Sequence, residues 1–334
     1  MFDTVDSVVI PNYHYYWINP IINKYLPGEM NKSEGTLILR NKEKNIFISH
    51  PFYFKDIKKK YGKKMIVENY ADGKTYELLL QKYCGTKIGY NGKYNSVNML
   101  NCMKGFFKGK KVKWIDVSRE LDNERTIKTK EEIKNISKAC VETKKVLKKI
   151  IPKLKSGMSE LEVESLFNEE FKKDGFDTAF CIVAFRKNTL SLHHSPDKTK
   201  LVEGPVLIDV GAKYKGYCAD ISESIWFGKK ETKLKKDYER ELNFVKDKLE
   251  IVKNILKPGI AANKLWNVCN MNMPHALGHG LGLEEHDMPG AIGAKTEWKL
   301  KEGMVLAIEP GQYTKFGIRV ERDYLITKNG CKEL

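Results

Sequence analysis

Four acidic residues lie in stretches that otherwise read as apolar strands. Asp209 interrupts PVLIDV (205–210), Asp220 follows in YCADISESIWF, Glu309 lies in MVLAIEPG and Glu321 in GIRVER. Each pair flanks a glycine-containing turn, so each reads as a β-hairpin. Directly opposed residues of an antiparallel pair face the same side. A turn centred between Tyr214 and Lys215 sets Asp209 opposite Asp220, and one centred near Lys315 sets Glu309 opposite Glu321. Like charges that close are unfavourable unless a proton or a cation lies between them. Between the hairpins runs PHALGHGLGLEEHD, with His275, His279 and His286. Four carboxylates plus histidines form the ligand set of a site for two divalent metals, because four carboxylates offset two dications and oxygen ligands can bridge.

Plainer readings compete for each motif. A lone Asp in a strand is usually an edge or turn residue; the repetition of the design in a second hairpin is what argues otherwise. GHGLG does not satisfy GxGxxG. His275 and His279 have the i, i+4 spacing of a zincin helix, but the glutamate after the first histidine is missing, and Pro274 with three nearby glycines disfavours a helix.

The elements that must carry these residues are legible around them. TKEE from Thr129 and SELE from Ser159 are capping boxes, with Glu132 and Glu162 at N3. They open helices running to about Lys153 and to near Gly175. FDTAFCIVAF leads into the loop RKNTLSLHHSPDKTK, where His193 and His194 form a pair more typical of a solvated loop. Residues 229–270 read as amphipathic helix, broken at Pro258–Gly259, with Leu242, Val245, Leu249, Val252 and Leu256 along one stripe. From residue 129 the order is helix, helix, acidic hairpin, helix, helix, histidine strand, acidic hairpin, which suggests two similar halves with the site between them. Residues 1–118 mix strands (36–40, 45–48, 111–117) with helices (73–83, 96–107), an α/β pattern with no phosphate loop. Tyr13, His14, Tyr15, Tyr16 and Trp17 crowd together there, as packing aromatics do. The polar stretch SRELDNERTIK (118–128) reads as a connection, which divides the chain into 1–122 and 123–334.

Composition bounds the rest. The 334 residues suffice for two domains, and 41% hydrophobic content suffices for ordinary cores. No apolar run approaches the ~20 residues of a membrane helix. MFDTVDSVVIPNY lacks the basic flank and cleavage site of a leader, so an unexported chain is expected. Seven scattered cysteines without a CxxC read as reduced thiols, favouring the cytoplasm. The net charge of +16 invites a nucleic-acid partner, supported by DIKKKYGKK and KGKKVK. Against it, lysine far outnumbers arginine and alternates with apolar residues as on solvated faces.

IDVGAKYKGYCAD, HALGHGLGLEEH, AIEPG and GIRVE stand in the order and spacing of the pita-bread dinuclear metallopeptidases, and residues 123–334 resemble that family. It includes Xaa-Pro dipeptidase (prolidase), Xaa-Pro aminopeptidase, methionine aminopeptidase and creatinase. The resemblance implies an α/β (α+β) protein: a C-terminal pita-bread catalytic domain with pseudo-twofold halves, and at 1–122 the smaller α/β accessory domain of the Xaa-Pro branch. It implies hydrolysis of the bond between an N-terminal residue and proline by a hydroxide bridging two divalent ions. Manganese or cobalt is expected first, with zinc or iron also accommodated. Asp209, Asp220, His279, Glu309 and Glu321 match the metal ligands, with Asp220 and Glu321 bridging and Glu309 doubling as general base. His193 matches the H-x-x-P histidine, and His275 and His286 those that hold substrate and stabilise the intermediate. Arg319 would orient a ligand carboxylate without touching metal. A homodimer acting on proline-containing peptides, without membrane or nucleic acid, is implied as well.

Two departures stand out. Arg322 replaces the second acid usual after Glu321, and Gly290 occupies the place where many prokaryotic dipeptidases carry an arginine for the substrate's free carboxylate. The second leans the reading towards aminopeptidase action on longer peptides. The alternative from another class is a non-catalytic pita-bread protein that binds protein or RNA; all five ligand positions and the accessory histidines are present, which disfavours it.

Overall fold

The computed structural model describes residues 2–13, 19–28, 33–41 and 43–334. The chain forms two compact units, Met1–Glu124 and Arg125–Leu334.

The first unit is built on a mixed six-stranded sheet. Its strands run in the order Ile66–Asn69, Ile46–Ser49, Gly35–Arg40, Ser7–Asn12, Lys87–Tyr90 and Lys113–Asp116. Period-two alternation explains how both faces are covered. Val8, Ile10, Leu37 and Leu39 enter one core cluster, while Val9 and Ile38 enter the other with Tyr76, Leu80 and Met103 from the helices. Of the aromatic run near the N-terminus, His14, Tyr15, Tyr16 and Trp17 lie outside the described residues. The stretch 118–128 is not an irregular connection, since Ser118–Thr126 is helical.

The second unit repeats one design twice. In its first half the helices Lys130–Ile150 and Glu160–Lys173 both start on the expected capping boxes: Thr129 Oγ1 accepts from Glu132 N and Ser159 Oγ from Glu162 N. They pack on a sheet ordered Ile221–Phe227, Gly204–Tyr214, Asp177–Phe185, and the interface buries Ile136, Val163, Phe167, Val183 and Ile208. In the second half the helices Lys233–Lys253 and Ala262–Cys269 cover a five-stranded sheet ordered Asp287–Ile292, Gly278–Gly280, Val305–Ile308, Arg322–Ile326, Cys331–Glu333. Val245, Leu249, Val252 and Leu256 are buried in that core, as the stripe foretold. Burying each such side chain contributes about 1.5–3 kcal/mol, which fixes the helices against the sheets that carry the acids.

The glutamate hairpin has the expected register. Gly311 pairs with Arg319 on one side and Ile308 with Arg322 on the other, so the turn centres on Lys315 and Glu309 comes opposite Glu321. The aspartate hairpin does not. Tyr214 pairs with Tyr217, and Asp209 faces Ser222 rather than Asp220. The cause lies in the turn: Lys215 and Gly216 both have positive φ, 50° and 87°, as the two central residues of a tight primed turn require. A shift of two keeps each side chain on its original face, so Asp220 still points to the Asp209 side, diagonally placed. The chain closes in tightly at this point, since a Cβ on Gly211 would lie 1.9 Å from Ala219 O. No helix among the described residues is long and apolar enough to cross a membrane, and all seven cysteines are free.

Candidate active site

Asp209 sits mid-strand, between Ile182 and Ser222 on its two neighbours. The two halves of the second unit are joined close by, where Glu321 N donates to Ser222 O at 3.2 Å and Cys218 N to Gly282 O at 2.8 Å. Asp220 N donates to the buried Asp323 Oδ2 at 3.0 Å, and Glu309 N to Leu277 O at 2.8 Å. Ladder bonds therefore bring the two hairpins and the histidine strand to one place.

Ligand atoms of Asp209, Asp220 and Glu321 lie within 4.8 Å of one another, and so do those of His279, Glu309 and Glu321. Glu321 belongs to both groups. Asp220 also reaches the second, its Oδ2 lying 3.6 Å from His279 Nε2. All five residues are buried or half-buried. The polar accounting there is incomplete, because Asp209 Oδ1 and Glu321 Oε1 are buried with no hydrogen-bond partner among the described residues. Burial, with the neighbouring carboxylates, pushes Asp220 and Glu321 well above the usual carboxylate range, and burial pushes Glu309 up to about 8.

The histidine geometry is informative. His279 Nδ1 lies 3.1 Å from Gly280 O, an atom that can only accept, so Nδ1 carries the hydrogen. Burial holds the ring neutral by lowering it to about 4. Nε2 therefore turns a lone pair towards carboxylate oxygens of Asp220, Glu309 and Glu321 at 3.6, 3.7 and 3.9 Å. Where these carboxylates are ionised, acceptors converge on acceptors, and a cation between them resolves the conflict. Four carboxylates and one imidazole lone pair fit two divalent ions of the oxygen-preferring kind.

Around this cluster lies a cavity of about 810 Å³. His193, His275 and His286 all line it. His286 lies against His279 with ring centroids 4.1 Å apart and planes tilted by 41°. Its loop is held by Arg125, which pairs with Glu284 at 2.5 Å and Asp287 at 2.8 Å, and by Leu283 N on Asp287 Oδ2. His275 Nδ1 donates to Ala276 O at 2.7 Å, leaving a buried Nε2 without a partner among the described residues. Both loop histidines line the cavity, His193 exposed and His194 half-buried, and His194 also bonds Glu160 at 2.6 Å.

Arg319 is buried and holds Asp209 Oδ2 through Nη2 at 2.5 Å. Its Nε donates to Ser222 Oγ at 3.0 Å and its Nη1 to Tyr313 OH at 2.9 Å. Ser222 in turn donates to Glu321 Oε2 at 2.8 Å. Ser222 and Tyr313 were not singled out in the sequence; the one signal for Ser222 is its small polar side chain at alternate positions with Ser224 in ISESIWF. Arg322 bonds the carbonyls of Ser222 and Glu321 and pairs with Glu223 at 2.5 Å, so it bridges the halves on the side away from the ligands. Gly290 has φ +89° and an open side. An arginine there would carry the strain of a left-handed backbone, about 1–2 kcal/mol.

Residues 134–328 match the profile of metallopeptidase family M24. An Xaa-Pro dipeptidase from Pyrococcus furiosus is 32% identical over 94% of this chain and 91% of its own length. An uncharacterized peptidase from Methanocaldococcus jannaschii is 35% identical over 67% of this chain and 69% of its own. In fold, an X-Pro aminopeptidase from Thermotoga maritima superposes with a TM-score of 0.87 at 24% identity, covering 98% of this chain and 95% of that one.

Proposed function

Since the chain belongs to metallopeptidase family M24 and is a peptidase of pita-bread fold, we propose that it hydrolyses the bond between an N-terminal residue and a following proline, with a preference for peptides longer than two residues. The observation that carries this reading is the convergence of Asp220, Glu309 and Glu321 on the lone pair of His279, with Asp209 beside Asp220 and Glu321. Asp209, Asp220, His279, Glu309 and Glu321 would hold two divalent ions, Asp209 on one side of the site and His279 with Glu309 on the other, with Asp220 and Glu321 serving both. When bound, such ions supply Lewis-acid polarisation and bring the pKa of a shared water towards ~7.

The chain's own residues do the rest. Glu309 is the general base, taking the proton of the attacking water on a carboxylate oxygen that faces the cavity. Arg319 orients Asp209, and through Ser222 it fixes Glu321 as well. His275, with Nδ1 committed to Ala276 O, offers Nε2 as an acceptor for a substrate N–H. His193 and His286 are left as the donors for the developing oxyanion. A prolyl nitrogen carries no hydrogen, so a site that asks nothing of that atom accepts the bond other peptidases miss.

The length preference rests on charge. Of the lysines and arginines among the described residues, Arg319 alone lines the cavity, and its donors are spent on Asp209, Ser222 and Tyr313. The free carboxylate of a dipeptide has no cation waiting for it. Asp220→Asn and Glu321→Gln test the site directly: each is expected to abolish turnover and reduce the bound metal measured by elemental analysis. Unchanged activity in both variants would remove the proposed site.

A further inference from the structure

We infer that Glu160 is a positioning residue for catalysis: through His194 it holds the loop that points His193 into the cavity. The inference rests on the peptidase reading above, because it assigns His193 a partner in the reaction.

Glu160 opens the helix Glu160–Lys173 and is fully buried. A carboxylate so placed needs compensation. It receives four hydrogen bonds: Oε1 accepts from Phe185 N at 2.7 Å and Asn188 Nδ2 at 2.9 Å, and Oε2 from His194 Nε2 at 2.6 Å and Asp197 N at 3.0 Å. These bonds occupy the four lone-pair sites of the carboxylate. The trio Glu160, His194 and Asp197 also has metal-ligand spacing, but a saturated Glu160 has nothing left for an ion. Its role is internal.

All four donors come from one stretch, 185–197, which leaves the strand Asp177–Phe185 and passes along the cavity through His193, His194, Ser195 and Pro196. The same stretch is tied from the other half of the unit, by Gly317 N on Thr189 Oγ1 at 3.0 Å and by Arg319 Nη1 on Leu192 O at 3.4 Å. His193 therefore lies between held points: Glu160 ties the stretch on both sides, at Phe185 and Asn188 before it and at His194 and Asp197 after it. Both histidines of the pair line the cavity, but His194 has its Nε2 spent on that carboxylate, which leaves His193 as the one assigned to substrate.

The test is a double-mutant cycle with a structural readout. Misplacement of a catalytic group by about 1 Å can cost about 100-fold in rate, so His194→Ala is expected to lower kcat on an Xaa-Pro-Yaa peptide at least roughly tenfold, with KM little changed. In a His193→Ala background, adding His194→Ala is expected to change kcat/KM by less than about twofold, because no histidine remains to aim. Hydrogen–deuterium exchange should rise in 186–199 and stay unchanged in the sheets. Glu160→Gln should reproduce this pattern; His194→Ala, at a partly exposed site, covers the event that the buried variant fails to fold. Losses that multiply across the cycle would overturn the inference, as would unaltered exchange in the loop. An inactive wild-type protein would instead refute the peptidase reading, and exchange in 186–199 would then decide the clamp by itself.

Discussion

Replacing Arg319 by methionine keeps the length of its buried stem and removes its charge and its five N–H donors. Asp209 Oδ2, Ser222 Oγ and Tyr313 OH each lose a partner at 2.5–3.0 Å, and four clustered carboxylates lose the cation among them. Removing one member of a buried pair costs about 3–5 kcal/mol. For a unit of roughly 200 residues each kcal/mol is worth about 2–4 °C, so the chelated variant should melt roughly 6–20 °C below wild type. Divalent ions that bind the same carboxylates would supply the missing charge. The deficit should therefore shrink by half or more at saturating manganese. The assay is thermal unfolding of both proteins, each with chelator and with metal. A deficit under about 2 °C in chelator would show that Arg319 does not neutralise the cluster. A deficit identical with and without metal would show that the ions bind elsewhere.

Two further outcomes are expected. The Ser159 side chain and backbone, with Lys200, hold Glu162 down to about 2 from its ordinary 4.5; a depressed folded value means stability that is present above 4.5 and lost as pH falls towards 2. Glu162→Gln should flatten the acid side of the stability profile in that window and leave kcat at neutral pH unchanged, as denaturant melts at several pH values would reveal. Ala291→Arg, from a position lining the cavity, should supply the cation that a free carboxylate needs and raise kcat/KM for an Xaa-Pro dipeptide relative to the matched tripeptide; an unmoved ratio would detach length preference from cavity charge.

The parts of this protein legible in its sequence are those written locally. Thr129 with Glu132 and Ser159 with Glu162 announce two helices within four residues each, and the Val245–Leu256 stripe announces the face of a third. The acids were legible because a carboxylate in a β-branched run conflicts with its surroundings, and four such conflicts in two hairpins share one remedy. The aspartate register was not legible, since it depends on Lys215 adopting a positive φ, which a lysine seldom does. Glu160 could not be read either. It lies next to a helix cap, where an acid is unremarkable, and the groups it holds are 25–37 residues away. Tyr313 and Ser222 are hidden for the same reason, because their partners are set by the packing of two halves and not by spacing.

The central claim is that five protein ligands and two divalent ions make this cavity an Xaa-Pro peptidase. Amino-acid release from an Xaa-Pro-Yaa tripeptide and its Xaa-Pro dipeptide, after chelation and again after adding manganese or cobalt, tests it most directly. The account predicts no release in chelator, recovery with metal, and faster cleavage of the tripeptide. Silence on both peptides in protein shown to hold metal would contradict it.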